Sequence, residues 1–277
     1  MMMMTTRRCA FLLLVAAPLL LAARPAAAEK ELVVLAAASL EEAFADIASA
    51  FEKAHPGVKV RLELAGSQEL RSHLEQGAIA DVFASADLAQ MAPLEKSGVV
   101  ARATVFARNE PVIVVPRGNP AHIAQLADLP RSGRLVIGAP EVPIGRYTAR
   151  IFDAATRKLG AGFRARLEAA VVSRELNARQ VLAKVILGEA DAGIVYRTDA
   201  RAAAARDRVT VVPIPAELNA AAEYPLAAVA ASRDPALARA LVAAVLSPDG
   251  QRRLGAAGFL PPAAPPGGHS SAEAARH

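Results

Sequence analysis

Tryptophan is absent from the chain, aromatic residues fill only 4% of its 277 positions, and there is a single cysteine, Cys9. One thiol cannot form an intrachain disulfide, and Cys9 lies in a segment that reads as removed from the mature chain, so neither disulfides nor thiolate metal sites are expected and stability must come from an ordinary apolar core. A chain of this length with 53% hydrophobic residues can build one, as one large domain or two lobes. Histidine is sparse too, and His55, His73 and His122 fall in separate segments without metal-ligand spacing, which reads as surface placement. No cluster of lysine and arginine with interleaved aromatics occurs, so no nucleic-acid partner is expected. No long heptad pattern is present either, and a monomer is expected.

One apolar run exceeds the length of a core strand, Phe11 to Ala23. Arg7 and Arg8 precede it, Pro18 interrupts it, and "PAAAEK" offers a small-residue cut after Ala28. Residues 1–28 therefore read as a cleaved signal peptide and not as a membrane span, for which the run is short, and a periplasmic location follows. The paired arginines leave the export route open between the general and the twin-arginine systems. Cys9 stands ahead of the apolar run, so it is not a lipid-modified residue at the cut. Cleavage would remove three arginines and bring the formal net charge from +5 to +2, so the basic character says little about partners.

From Glu29 onward short apolar runs alternate with helical patterns, the mark of an α/β layer fold with mainly parallel strands. "ELVVLA" is a buried strand. Leu40, Ala43, Phe44, Ile47, Ala48 and Phe51 then recur at helical spacing until "HPG" stops them. "VKVRLEL" alternates as a half-buried strand, and a helix carrying Leu70 and Leu74 follows. The alternation restarts at "RLVIGAP" and runs to "DAGIVY", which suggests a second unit. The closing "EYPLAAVAAS" and the helix from Pro235 return to the first. The expected organisation is residues 29–109 with 225–262 as lobe I, 110–224 as lobe II, and 263–277 as a disordered Pro/Gly/Ala tail. The two crossings are expected near Asn109 to Pro111 and Glu223 to Pro225.

Polar residues recur where strands hand over to helices. Ser39 followed by Glu42 fits a capping box, and Ser67 stands at the next such junction. Pro143, Ile144 and Gly145 open a third helix, and Asn177 takes an N-cap position ahead of Ala178. In a parallel α/β sheet these junctions lie at the carboxyl ends of the strands and can converge on one crevice. Helix starts carry unpaired N–H groups and a partial positive charge, so several facing one crevice form an anion site without a cation. Tyr196, ending "AGIVY", reads from the residues alone as the aromatic end of a buried strand. Arg146 and Arg179 fall in first helical turns, where most arginines are simply solvated.

The ordered set "AAASLEEAF", "AGSQEL", "DVFASAD", "VPIGRY", "NARQVLAKVILGEADAGIVYRTDA" and "EYPLAAV" resembles the periplasmic molybdate-binding proteins of ABC importers, the ModA type. The similarity runs from Glu31 to about Phe259. It implies a type II periplasmic binding protein, two α/β lobes joined by a two-crossing hinge, that captures molybdate or tungstate between the lobes and delivers it to a membrane ABC permease. It also implies that Ser39 and Ser67 contribute hydroxyl and main-chain N–H groups, Ile144 and Ala178 main-chain N–H groups, and Tyr196 its phenol. Molybdenum would be held only as the oxyanion, without a direct protein ligand and without a cofactor. Two positions depart from the family pattern: Ile144 replaces a commonly small residue, and Ala139 a common aspartate. Some relatives use carboxylates on the metal centre, for which Glu141 and Glu223 are the local candidates.

A site made only of donors favours an oxyanion that is fully deprotonated at neutral pH, because a retained proton would face no acceptor. Phosphate fails that test; sulfate passes it and must be rejected by size. Another oxyanion or a small carboxylate is the nearest alternative ligand. An enzyme with Ser39 or Ser67 as nucleophile is the other class, but neither serine sits in G-x-S-x-G and no local base pattern accompanies them.

Overall fold

The computed structural model describes residues 29–263; the expected signal peptide with Cys9, and the expected tail from 264 onward, lie outside them. The first strand, β1 (Lys30–Ala37), is buried from Leu32 onward, as an unbroken apolar run covered on both faces must be. A 3-10 turn over Ala38–Leu40 leads into α1 (Glu41–Ala54), which buries Ala43, Phe44, Ile47, Ala48 and Phe51 along one stripe. Next come β2 (Val58–Ala65), α2 (Ser67–Glu75), β3 (Val82–Ala84), α3 (Leu88–Lys96) and β4 (Thr104–Asn109). The second unit holds β5 (Pro111–Pro116), β6 (Leu135–Gly138), α4 (Pro143–Leu159), α5 (Gly162–Ala170) and β7 (Val171–Glu175). It continues with α6 (Ala178–Ile186), β8 (Ala192–Tyr196), α7 (Arg197–Arg201) and β9 (Val209–Val212). The chain ends with β10 (Ala222–Ala228), α8 (Pro235–Leu246) and α9 (Pro248–Ala256).

Two five-stranded sheets result, ordered β2-β1-β3-β10-β4 and β7-β6-β8-β5-β9. Parallel pairing was expected to dominate, yet each sheet combines two parallel with two antiparallel pairings. The strand that enters each sheet from the other lobe, β5 or β10, runs against its neighbours and accounts for the difference. The parallel strands β1 and β2, and β6, β7 and β8, place their carboxyl ends at the lobe boundary.

Alternation along the strands sorts the core into layers. Leu32, Val34 and Ala36 pack on the side of Phe44, Ile47 and Phe51, while Val33 and Leu35 meet Leu70, Leu74, Met91 and Leu94 on the opposite face. In the second sheet Ile113, Val115 and Ile137 share a cluster with Ile151 and Phe152 of α4. Val112, Val114 and Val136 face Val181, Leu182 and Val185 of α6. Gly57, with φ of 86°, supplies the turn between α1 and β2 that the "HPG" stretch promised.

The chain crosses between sheets at Glu110, between β4 and β5, and again over residues 213–221, between β9 and β10. The second crossing, expected at Glu223 to Pro225, therefore lies earlier, because those residues already belong to β10. Proline reads as a strand breaker, but Pro225 sits at a register shift in the pairing with β4, where its missing N–H is tolerated. The two crossings are tied together by Asn219 Nδ2, which donates to the Pro111 carbonyl at 3.0 Å.

The chain's three tyrosines meet at this boundary: Tyr147 and Tyr196 lie 6.4 Å apart and Tyr196 and Tyr224 5.7 Å apart, all edge to face. Phe106 continues the row from Tyr224 at 6.4 Å and meets Phe44 at 5.8 Å. Phe44 is only 2% exposed. Phe44→Ala is therefore expected to cost about 3–5 kcal/mol of stability, read as a lowered urea midpoint.

Candidate functional site

The four strand-to-helix junctions come together. One cleft of about 230 Å³, its mouth included, is lined from lobe I by Ser39, Gly66 and Ser67 and from lobe II by Ile144, Ala178 and Tyr196. The five residues singled out in the sequence thus all border the same space. Among the described residues, no lysine, arginine, histidine, aspartate or glutamate lines it. A larger neighbouring cavity, bordered by Asp87, Arg146, Arg150 and Glu223, contains charges of both signs and lies off these junctions.

Local folding sets out the donors. Ser67 is the first residue of α2, Ala178 the first of α6, and Ile144 the second of α4 after Pro143. First-turn N–H groups have no intrahelical carbonyl, and at α6 the Asn177 side chain satisfies only the Gln180 N–H, at 3.0 Å. The earlier positions of each helix keep their N–H groups for whatever enters the cleft. Ile144 turns its side chain back over Gly138, where an added Cβ would lie 2.6 Å from Ile144 Cγ2. The bulk at Ile144 is thus housed behind the helix start, and its main-chain donor remains at the cleft.

The hydroxyls differ in what stands behind them. Ser67 Oγ accepts from the Ala86 N–H at 3.0 Å, so its own proton is free for the cleft. Ser39 Oγ lies 2.9 Å from the Tyr224 phenol oxygen. The Tyr196 phenol is buried without a hydrogen-bond partner among the described residues. Burial pushes its pKa well above the usual 10, so it remains a neutral O–H donor. An unpaired buried hydroxyl costs roughly 1–3 kcal/mol, which an acceptor in the cleft would recover.

Ser39 does not form the capping box expected with Glu42. It lies inside the 3-10 turn, α1 begins at Glu41, and no side chain caps that helix. Glu42 instead reaches across the lobe boundary to Arg179, whose Nη1 donates to Glu42 Oε1 at 2.9 Å. Arg179 is not simply solvated: its side chain is 17% exposed, and its Nε lies 2.8 Å from Asp199 Oδ1, outside the N–H direction, as a charge contact. Complete burial pushes the Asp199 pKa up to about 6, against the pull of Arg179. Asp199 Oδ2 accepts from the Tyr196 N–H at 3.1 Å, which fixes the backbone that carries the phenol.

Arg146 also has a partner in the other lobe, Asp87, at 3.2 Å. Gln68 Nε2 donates to the Leu176 carbonyl at 2.9 Å and Gln90 Nε2 to the Glu141 carbonyl at 3.0 Å, again between lobes. Neither Glu141 nor Glu223, the carboxylates considered for direct metal coordination, lines the cleft. Among the described residues no group of three or more His, Cys, Asp or Glu could hold a metal ion. Tyr224, Asn109 and Thr198, behind Ser39, were missed as site residues; only Tyr224 was signalled, by its place in "EYPLAAV".

Residues 32–260 match the family described as bacterial extracellular solute-binding protein. The molybdate-binding protein ModA of Mycobacterium tuberculosis is 44% identical over 227 residues, 81% of this chain and 82% of that one. Among solved structures, the periplasmic molybdate-binding protein of Azotobacter vinelandii aligns with a TM-score of 0.72 at 19% identity, over 84% of this chain and all of that one. The sulfate-binding protein SubI of Mycobacterium tuberculosis aligns with a TM-score of 0.77 at 24% identity, over 84% of this chain and 87% of that one. At such identities the structural likeness establishes the fold and does not choose between anions.

Gly66, at the cleft, stands close against the other lobe: an added Cβ would lie 2.4 Å from the Leu176 carbonyl oxygen there. Gly66→Ala should prevent the lobes from meeting at this distance. Solution scattering at saturating ligand is expected to show a larger radius of gyration than for the unaltered protein, with the thermal midpoint little changed.

Proposed function

The chain belongs to the bacterial extracellular solute-binding proteins, and we propose that its ligand is molybdate, held between the two lobes by neutral hydrogen-bond donors. The observation that carries this reading is the composition of the cleft: helix-start N–H groups and three hydroxyls converge there, and among the described residues no cationic side chain and no carboxylate lines it. Such a site suits an anion that only accepts. Hydrogen bonds to a charged acceptor contribute roughly 1.5–3 kcal/mol each, so about six or seven can offset the dehydration of a small dianion.

Ser39, Ser67 and Tyr196 would donate their hydroxyl protons, and Ser39, Ser67, Ile144 and Ala178 their main-chain N–H groups. Hydrogen phosphate would present an O–H to a cleft whose main-chain N–H groups, and whose Ser67 hydroxyl with the Ala86 N–H behind it, are committed to donating. Sulfate presents none, and its shorter bonds would leave its oxygens short of donors fixed on separate lobes. Tungstate, nearly the size of molybdate, should be accepted alongside it. The 44% identity to a molybdate-binding protein supports molybdate over the sulfate carried by a protein of similar fold.

The role that follows is capture and hand-over. Export by a cleaved signal peptide would place the mature chain, as a monomer, in the periplasm, and a membrane ABC permease would receive the loaded form. Contacts from the ligand to both lobes favour closure only by the difference in affinity between closed and open states. Catalysis is not part of this reading, since among the described residues no basic side chain borders the cleft to activate Ser39 or Ser67.

Isothermal titration of the mature protein with molybdate, tungstate, sulfate and phosphate should give tight binding for the first two alone; stronger binding of sulfate or phosphate than of molybdate would reject the assignment. Tyr196→Phe separates ligand binding from packing. Because the phenol has no partner among the described residues, the variant should match or exceed the ligand-free protein in thermal stability while binding molybdate about tenfold more weakly or worse. Ser67→Ala should lose a similar factor, with a small drop in stability from the orphaned Ala86 N–H.

A further inference from the structure

The direction of the hydrogen bonds behind Ser39 can be read without seeing a hydrogen atom. Asn109, the last residue of β4, is buried, and its Oδ1 accepts from the Glu110 N–H at 2.9 Å. A main-chain N–H can only donate, so the amide cannot be flipped. Its Nδ2, which can only donate, lies 2.8 Å from Thr198 Oγ1 and 3.4 Å from the Tyr224 phenol oxygen. The Tyr224 oxygen is thereby an acceptor towards Asn109, the second contact being the longer one. Tyr224 is fully buried, and its remaining hydrogen-bond partner is Ser39 Oγ at 2.9 Å. Its O–H therefore donates to Ser39, and the Ser39 proton is left to point into the cleft that Ser39 borders.

We infer that Asn109 and Tyr224 are positioning residues for ligand selection: they form a one-way relay that commits the Ser39 hydroxyl to donating and so disfavours oxyanions that retain a proton. This inference rests on the proposed function. Serine by itself does not select, since a hydroxyl can donate or accept with equal ease. Ser67 is committed by a simpler device, the Ala86 N–H directed at its oxygen. Ser39 has no such main-chain donor at its oxygen among the described residues and takes its polarity from two residues at the hinge ends of β4 and β10. Selection against a protonated ligand is thus set at the point where the chain crosses between lobes, well outside the ligand's own contacts.

Two substitutions act on the relay in different ways. Tyr224→Phe removes the donor behind Ser39 and leaves its hydroxyl free to turn and offer a lone pair. Asn109→Asp keeps the acceptor for the Glu110 N–H but replaces the donating nitrogen by an oxygen, so Tyr224 would donate towards Asp and Ser39 towards Tyr224. Ser39 would then present only lone pairs to the ligand.

The measurement is the ratio of affinities for molybdate and for hydrogen arsenate, by calorimetry at pH 7.5. Both are tetrahedral dianions, arsenate is nearer to molybdate in size than phosphate is, and only arsenate carries a proton. The ratio cancels a general loss of closure or a change of field. We expect it to fall about tenfold in Tyr224→Phe and further in Asn109→Asp. If both variants bind molybdate and arsenate with the unaltered protein's ratio, or lose both equally, the relay is refuted and the two residues are structural. Should the unaltered protein fail to bind molybdate at all, the functional reading falls and this inference with it. If one variant does not fold, the other decides.

Discussion

An anion held without a cation demands that every dipole around it be fixed from behind. Water can turn to meet a charge, whereas this cleft has to arrive already oriented. Its main-chain donors are fixed because they are helix starts, anchored by α2, α4 and α6 to the carboxyl ends of parallel strands. Two of its three hydroxyls are fixed by donors at their oxygens: Ala86 behind Ser67, and Tyr224 with Asn109 behind Ser39. Even the backbone of Tyr196 is held, through Asp199, which in turn faces Arg179. The rest of the fold serves to bring these separately anchored pieces within reach of one small guest.

Where the pattern was local, the sequence disclosed it. The alternation of apolar runs and amphipathic stripes placed β1, α1 and the later strands, and the junction residues Ser39, Ser67, Ile144, Ala178 and Tyr196 do border one cleft. The partners of long-range contacts were hidden. Glu42 looked like half of a capping box because its spacing from Ser39 fits one, yet its charge meets Arg179, 137 positions away and in the other lobe. Arg146 likewise finds Asp87. No local spacing records such a pair, since each forms only when the lobes face each other. The second crossing was misplaced for a similar reason: Pro225 carries the marks of a break, and only its register with β4 reveals a strand that tolerates it.

The lobe boundary is therefore held by two sorts of contact. Around the cleft, Gln68, Gln90 and Arg179 reach from one lobe to carbonyls or carboxylates of the other, and all of these would separate on opening. Each such hydrogen bond contributes only about 0.5–3 kcal/mol net, which suits a clasp that must also release. At the hinge, by contrast, Asn219 ties the two crossings together and Asn109 joins Thr198 to Tyr224, so that the pivot keeps its geometry while the clasp gives way.

The row of tyrosines has an optical consequence. With no indole in the chain, ultraviolet emission comes from Tyr147, Tyr196 and Tyr224, and all three are gathered where the lobes meet. Most proteins dilute the signal of a site among chromophores scattered elsewhere. Here the intrinsic fluorescence of the whole molecule is that of its hinge and cleft, a built-in reporter that needs no dye.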